Sequence, residues 1–398
     1  MGMKVVVLHT DFRIYWPARL SALHAFLQLK GISLRVIEIA GKGSNYSFCG
    51  TQTTLPPYWT ILFPEHSPEE LSGSVIKKKL FATLDEMSPD VVIAGAIAFP
   101  SGALAVAWGQ KYKRRVIIFD DAKMEAVRRN AITNYVKKAV YRGVDAMIYP
   151  APDWTPTGRF WGFAAEQQFF GIDVIDNDFW AKPREDGGPK GEYMVAVGRQ
   201  IPKKNFLMLL KAYRLYIDAV ESSPCKLLLV GEGPEHQTLA GFISDNGLTG
   251  LVTCMPFQTQ EKLASIYQHA RALVCCSNAQ ETWGLVINEA MACGCPVIAS
   301  NECGATHTLV QQGVNGFRFP CDQVEALADA MIQLHALSPE QHLQMCNASK
   351  TIISNWGLPR FCQGVAAAIG YVAHRHKRTA SLLDRFVINH WKGRYRPL

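Results

Sequence analysis

Short apolar runs alternate with longer stretches of helical period through most of the chain. MKVVVLHT reads as a strand, and ARLSALHAFLQLKG as a helix that stops at Gly31. SLRVIEIA is a second strand. Residues 41–65 are polar, aromatic and Pro-rich, and read as a long loop. The spacing then predicts a helix over 67–87, a strand in DVVIAGA, a helix in ALAVAWGQKY and a strand in RRVIIFDD. A basic helix from about Glu125 to Arg142 and the strand DAMIYP follow. Val91 to Gln110 carries no charge, yet Pro100-Ser101-Gly102 interrupts it, so it reads as a buried strand and a helix packed on it rather than a membrane span.

WAKPREDGGPKGE, Trp180 to Glu192, is polar and rich in Pro and Gly, and reads as a linker. A second alternating series follows it: YMVAVGR, NFLMLLKAYRLYI, CKLLLVGEGP, HQTLAGFISDNG, GLVTCMPF, TQEKLASIYQHA, ARALVCCS, WGLVINEAMACG, CPVIAS, ATHTLVQQG and QVEALADAMIQLHAL. Strand-helix alternation with nearly continuous apolar strands means parallel α/β sheets. The expected organisation is a Rossmann-like domain over 1–180, a second over 190–365, and a basic tail over 366–398. Ligands of such sheets bind at the carboxyl ends of the strands, so a cleft between two facing sheets is the expected site.

Composition narrows this further. Of 398 residues 48% are hydrophobic, enough apolar surface to exclude a disordered chain. The net charge is +7 and is concentrated at the end. From Tyr371 onward the basic residues Arg375, Lys377, Arg378, Arg385, Lys392, Arg394 and Arg396 face a single acid, Asp384. Such a tail suits phosphates or an anionic membrane face. With no interleaved aromatic and basic motif, nucleic acid is not an expected partner. Eleven cysteines, several in apolar runs, read as small core residues in a reducing cytoplasm. Cys293-Gly-Cys295 is too tight for a zinc pair. The N-terminal apolar run is too short for a signal segment, so a cytoplasmic location is expected.

Three constellations carry chemistry. Glu281 and Glu289 frame ETWGLVINE, with Glu281 before a helix and Glu289 within it. With a helix start near Trp283 they stand roughly 9 Å apart along the axis, and the helix N-terminus between them offers N–H groups to phosphate. Gly284 lets a ligand approach the backbone closely. Arg199 and Lys204 in GRQIPKK leave a strand end, a planar fork and a point charge suited to a diphosphate. Gly231-Glu232-Gly233 opens like a dinucleotide fingerprint, but the sixth position is His236 and Pro234 intervenes. Asp176-Asn177-Asp178 has the form of a metal-diphosphate motif but reads as an interdomain loop.

Together GRQIPKK, LLLVGEGPE, ETWGLVINE, EAMACGCPVIAS and GVNGFRFPCD resemble the nucleotide-sugar domain of glycosyltransferase family 4, the group 1 type with an E-x7-E signature. The resemblance implies the GT-B fold, with two Rossmann-like domains facing a central cleft and a C-terminal helix crossing back to the first. It implies a retaining, metal-independent transfer without a cofactor. In that pattern Arg199 and Lys204 hold the donor diphosphate. Gly231, Thr282 and the backbone at Trp283-Gly284-Leu285 line the donor. Glu281 contacts the sugar and Glu289 the ribose, so Glu281, Arg199 and Lys204 are the expected catalytic group.

The chain departs from the pattern at several positions. Trp283 stands for the commoner Phe, Asn205 follows the lysine where Gly is frequent, and Ala305 and Thr308 replace Gly and Glu. The Gly-rich acceptor loop after the first strand is missing, which leaves His9, Asp11 and Asp121 at strand ends as the acceptor-side candidates. A crossing tail helix would pack through Leu383, Phe386, Val387 and Trp391. The tail, Lys77-Lys78-Lys79 and Lys111 to Arg115 are positioned to meet anionic lipid.

The resulting expectation is a hexosyltransferase of the cytoplasm or the inner membrane face. It would use a UDP- or GDP-sugar and a glycan or lipid-linked acceptor in polysaccharide biosynthesis. The alternatives are a GT-B phosphorylase, an epimerase, or a scaffold without turnover.

Overall fold

The computed structural model describes residues 2–42, 55–126, 129–184 and 192–393. Most of the expected linker, residues 185–191, lies outside them, as do residues 43–54 and the tail residues Arg394 and Arg396. The chain packs into two units: Met1–Val174 with Leu358–Leu398, and Ile175–Gly357. The boundaries therefore fall at 174/175 and 357/358, earlier than the sequence pattern placed them.

Unit 1 is a parallel sheet of β1 (Lys4–His9), β2 (Ser33–Ala40), β3 (Trp59–Phe63), β4 (Val91–Ala94), β5 (Arg115–Phe119), β6 (Ala146–Tyr149) and β7 (Gln168–Phe170). Its order is β3-β2-β1-β4-β5-β6-β7. The central strands are buried on both faces, which is why they read as unbroken apolar runs. Helices α1 (Trp16–Gln28), α2 (Gly73–Met87), α3 (Pro100–Tyr112), α4 (Ala131–Tyr141) and α5 (Thr155–Phe160) connect them. Pro100 does not break the charge-free stretch into loop. It occupies the first turn of α3, where its missing N–H costs nothing.

Several boundaries differ from the sequence reading. The long loop contains the edge strand β3, whose Trp59 indole N–H donates to the buried Glu38 at 3.0 Å. The helix expected over 67–87 is a 3-10 turn at Pro68–Glu70 and then α2, which starts where the Ser72 hydroxyl caps Val75 N–H at 3.3 Å. The basic helix begins only at Ala131, because Asn130 caps Thr133 N–H at 2.8 Å.

Unit 2 holds β8 (Tyr193–Val197), β9 (Lys226–Val230), β10 (Val252–Met255), β11 (Ala272–Cys275), β12 (Val297–Ser300) and β13 (Gly316–Phe319). They are parallel, in the order β10-β9-β8-β11-β12-β13. Its helices are α6 (Asn177–Ala181), α7 (Phe206–Ala219), α8 (His236–Asp245), α9 (Gln260–His269), α10 (Leu285–Ala292), α11 (Thr306–Leu309), α12 (Val324–His335) and α13 (Pro339–Ile353). The segment before the linker is less loop-like than it reads. It supplies β7, and Asp176 caps α6 by accepting from Phe179 N–H at 3.2 Å.

The chain then returns to unit 1 as α14 (Leu358–Ala373) and α15 (Leu382–His390). In α14, Phe361, Val365 and Ile369 enter the core beside Val5, Leu20 and Ile117. The tail helix α15 packs on α3 and α4 through only part of the expected face, with Val387 and Trp391 half-buried. Ile388 and Asp384 are buried, whereas Leu383 and Phe386 are exposed. Asp384 is tolerated there because it pairs with Arg142 at 2.5 Å and accepts from the Ser381 hydroxyl at 2.7 Å. No helix among the described residues is long and apolar enough to cross a membrane.

Candidate functional site

In unit 2 the strand order reverses between β8 and β11, so the loops leaving their carboxyl ends diverge and open a crevice. Both sequence motifs hang at this point. Residues 198–204 leave β8, and residues 276–284 leave β11 and end at α10. The two loops are stitched together: Asn278 N–H donates to the Lys203 carbonyl at 3.0 Å, and the Cys276 thiol to the Lys204 carbonyl at 3.1 Å. A Cβ on Gly198 would sit 2.9 Å from Lys204 Cε, so the lysine stem lies across a bare backbone. Gly231 closes the same floor, since a Cβ there would fall 2.1 Å from the Gly198 carbonyl oxygen.

Lys204 Nζ pairs with Glu281 Oε2, both side chains being nearly buried. Lys203 Nζ stands 3.9 Å from the other oxygen, and the Ser277 hydroxyl donates to Oε2 at 3.4 Å. Burial alone would raise the Glu281 carboxyl. The charges of Lys204 and Lys203 outweigh it and hold the group below its ordinary value. Burial likewise opposes the Lys204 ammonium, and the Glu281 charge reverses that and raises it. Both groups therefore stay charged at neutral pH. Arg199 is on the same loop and half-buried.

Thr282 and Trp283 lead into Gly284, which caps α10 with φ of 94°, a left-handed conformation that Gly adopts without strain. Leu285 opens the helix, two residues later than the sequence suggests. The Trp283 ring is turned inward, 2% exposed, against Trp356, with its indole N–H on Asn288 Oδ1 at 2.8 Å. The Phe-to-Trp departure is thus met by packing in the interior. Behind it, Gly304 N–H donates to the Glu281 carbonyl at 3.2 Å and Ala305 N–H to the Trp283 carbonyl at 2.8 Å. Glu289 lies inside α10, 2% exposed, and Oε2 accepts from the Tyr267 hydroxyl at 3.0 Å.

Sequence reasoning missed Lys203, Ser277 and the thiols Cys275 and Cys303, which lie 3.8 Å apart beside Lys204. Only the KK doublet was a visible signal; the thiols read as core.

In unit 1 the reversal lies between β1 and β4, where His9 ends β1. Its Nδ1 is 3.0 Å from the Asp11 carbonyl oxygen, and burial holds the imidazole down to about 4, hence neutral. Asp11 pairs with Arg13 at 3.1 Å, and burial raises its carboxyl. Asp121 acts on the buried Arg19–Asp173 pair, and burial raises Asp173 to about 7 with Asp121's charge adding to it. The Trp16 ring joins the groups, 5.6 Å from His9 and under Arg19 at 5.1 Å. Arg19, Glu38 and Asp173 had no signal in the sequence beyond their charge.

Comparison with known proteins bears on the family and the fold. Residues 178–351 match the family model of glycosyl transferases group 1. D-inositol 3-phosphate glycosyltransferase of Mycobacteroides abscessus is 33% identical over 171 residues, 41% of this chain and 37% of that protein. The Rhodococcus erythropolis protein of the same name is 36% identical over 151 residues, 36% of this chain and 34% of the relative. The matches thus span about a third of these curated relatives' length. Among solved structures, Anabaena Alr3699/HepE in complex with UDP has a TM-score of 0.72 at 18% identity, covering 92% of this chain and 100% of that one. Sucrose-phosphate synthase from Thermosynechococcus elongatus has 0.71 at 18%, covering 93% and 99%. The fold likeness therefore includes both units and bears out the two-domain GT-B expectation.

Proposed function

We propose that this chain is a retaining, metal-independent glycosyltransferase. It would take a sugar from a nucleoside diphosphate, UDP- or GDP-linked, to a glycan or glycolipid in cell-surface polysaccharide synthesis. The observation that carries the reading is the Lys204–Glu281 pair at the β8/β11 reversal, directly ahead of the α10 N-terminus. In this reading Lys204, Arg199 on the same loop and the helix dipole would meet a leaving diphosphate as it gathers charge.

Glu281 is held ionised by two lysines, so it accepts hydrogen bonds from sugar hydroxyls and donates no proton. Glu289, one turn into the helix, is the ribose contact in this reading. During transfer the bond between the anomeric carbon and the diphosphate oxygen breaks. The acceptor oxygen bonds that carbon on the same face, and its proton passes to the departing diphosphate. The ten cysteines among the described residues are all free thiols, which supports a reducing cytoplasmic setting. The acceptor would meet unit 1 near His9 and Asp11.

A thermal-shift screen with UDP, GDP, ADP, TDP and CMP and their sugar conjugates tests the reading. The UDP held by the Anabaena neighbour makes UDP the first to try. A ligand at a hundred times its Kd stabilises by about 2.7 kcal/mol. The expected result is a rise in Tm with one diphosphate that is lost in Lys204→Ala. No rise with any of them would overturn it in favour of a scaffold.

A further inference from the structure

We propose that unit 1 docks on an anionic lipid bilayer through one face built from α15, α4 and the first turn of α2. The face itself stands apart from donor chemistry, and only its purpose, meeting a lipid-linked acceptor, rests on the transferase reading.

Large apolar side chains are left in solvent here. On α15, Leu382 is 84% exposed, Leu383 59% and Phe386 61%, while Asp384 and Ile388 on the opposite side are buried. On α4, which packs against α15, Ile132 is 75% exposed and Tyr135 47%. Lys392 Nζ donates to Ser74 Oγ at 3.0 Å, which brings in the first turn of α2, where Val75 is 50% exposed. Spacings of three and four residues place each set on one side of its helix.

The charge on this face is mainly positive, although α2 also carries Asp85 and Glu86, and Asp85 accepts from the Tyr112 hydroxyl at 2.8 Å beside Lys111. Helices α3, α4 and α15 contain a single carboxylate, Asp384, and it is buried against Arg142. The exposed cations of these helices are Lys78 on α2, Lys111 on α3 with Lys113 at its end, and Arg385 on α15. Lys138 lies over the Phe160 ring at 4.4 Å. Apolar tips on helices whose exposed charge is mainly basic fit the headgroup boundary of an anionic leaflet. A second copy fits less well, since a two-fold contact would set this basic face against itself. The Trp391 indole N–H donates to the Ile97 carbonyl at 2.7 Å, so the end of α15 is fastened to the loop after β4, beside the strand end that carries His9. A bilayer under α15 would thus lie next to the acceptor-side candidates of unit 1.

The test is co-sedimentation of the full chain with vesicles of phosphatidylcholine, with and without phosphatidylglycerol. The chain should pellet only with phosphatidylglycerol and be released by high salt. Leu382→Ser with Phe386→Ser changes exposed side chains, so Tm should hold while the partition coefficient falls at least about tenfold. Lys78→Glu with Lys138→Glu should abolish the preference for the anionic lipid. Equal binding by all variants, or no binding to phosphatidylglycerol, would overturn the proposal. A dimer that the Leu382/Phe386 variant dissolves, without vesicle binding, would overturn it in favour of a second copy. Donor-induced Tm shifts on the same variants separate the two readings. A lost shift counts against the transferase, and lost sedimentation with the shift intact counts against docking alone.

Discussion

Replacing Lys204 with Met removes the ammonium and keeps the stem that lies across Gly198. Glu281 is then left with 11% side-chain exposure, the Ser277 hydroxyl at 3.4 Å and Lys203 at 3.9 Å. Breaking a buried pair from one side costs about 3–5 kcal/mol, and the remaining contacts put this case near the lower end. For a unit of this size that is a fall in Tm of roughly 6–12 °C. The pH dependence has a definite sign. In the wild type the folded Glu281 titrates below its ordinary 4.5, so the pair stabilises above that pH and the gain is lost on acidification. In Lys204→Met, burial dominates and the carboxyl is raised, so the penalty is relieved as acid neutralises it. The difference between the proteins should be greatest near neutrality and shrink below about pH 5. Adding Glu281→Gln should recover much of the loss, as in a double-mutant cycle read by thermal melts. Equal Tm values for the wild type and Lys204→Met at neutral pH would refute the reasoning. So would a double variant as unstable as the sum of the singles.

Further outcomes are expected elsewhere. Gly304→Ala places a Cβ 1.9 Å from the Thr282 carbonyl oxygen, so the segment before α10 must move; calorimetry should show a lower Tm and titration a lost donor affinity. Glu289→Gln keeps an acceptor for the Tyr267 hydroxyl and so keeps Tm, whereas donor affinity falls about tenfold as a charged hydrogen bond is lost. Tyr267→Phe should do the reverse, lowering Tm slightly with donor affinity intact. His9 titrates near 4 folded and 6.5 free, so its contribution is present above 6.5 and lost as pH falls; His9→Gln should flatten the decline in stability between those values in denaturant titrations.

The strands of both sheets were legible because parallel strands buried on two faces carry no polar alternation to confuse with helix. Edge strands β3 and β7 were not. Trp59–Phe63 mixes buried and exposed positions within five residues, and Gln168–Phe170 has only three. The loops after β8 and β11 were legible because glycine, lysine and glutamate stand at strand ends in a fixed order. The partner of each was not, since nothing in the local sequence says that Lys204 reaches Glu281 across 77 positions. Leu383 and Phe386 of α15 were misread for a related reason. A buried Asp384 is admissible only because Arg142, far away in sequence, answers it. The resting place of the Trp283 ring was not legible either, since Asn288 and Trp356, which hold it in the interior, are not marked as its partners by the sequence.

The crossings at 174/175 and 357/358 also set an order of events during synthesis. Ile175 and Gly357 are bridged to each other, so unit 2 is a continuous insertion whose ends meet. All of its residues emerge before the last helices of unit 1 exist. Unit 1, although begun first, lacks Phe361, Val365 and Ile369 in its core until the closing segment leaves the ribosome. At roughly 5–20 residues per second that interval lasts many seconds. The nascent chain therefore carries a finished unit 2 beside an unfinished sheet, and a stop codon anywhere in α14 would leave the earlier-made half unable to close.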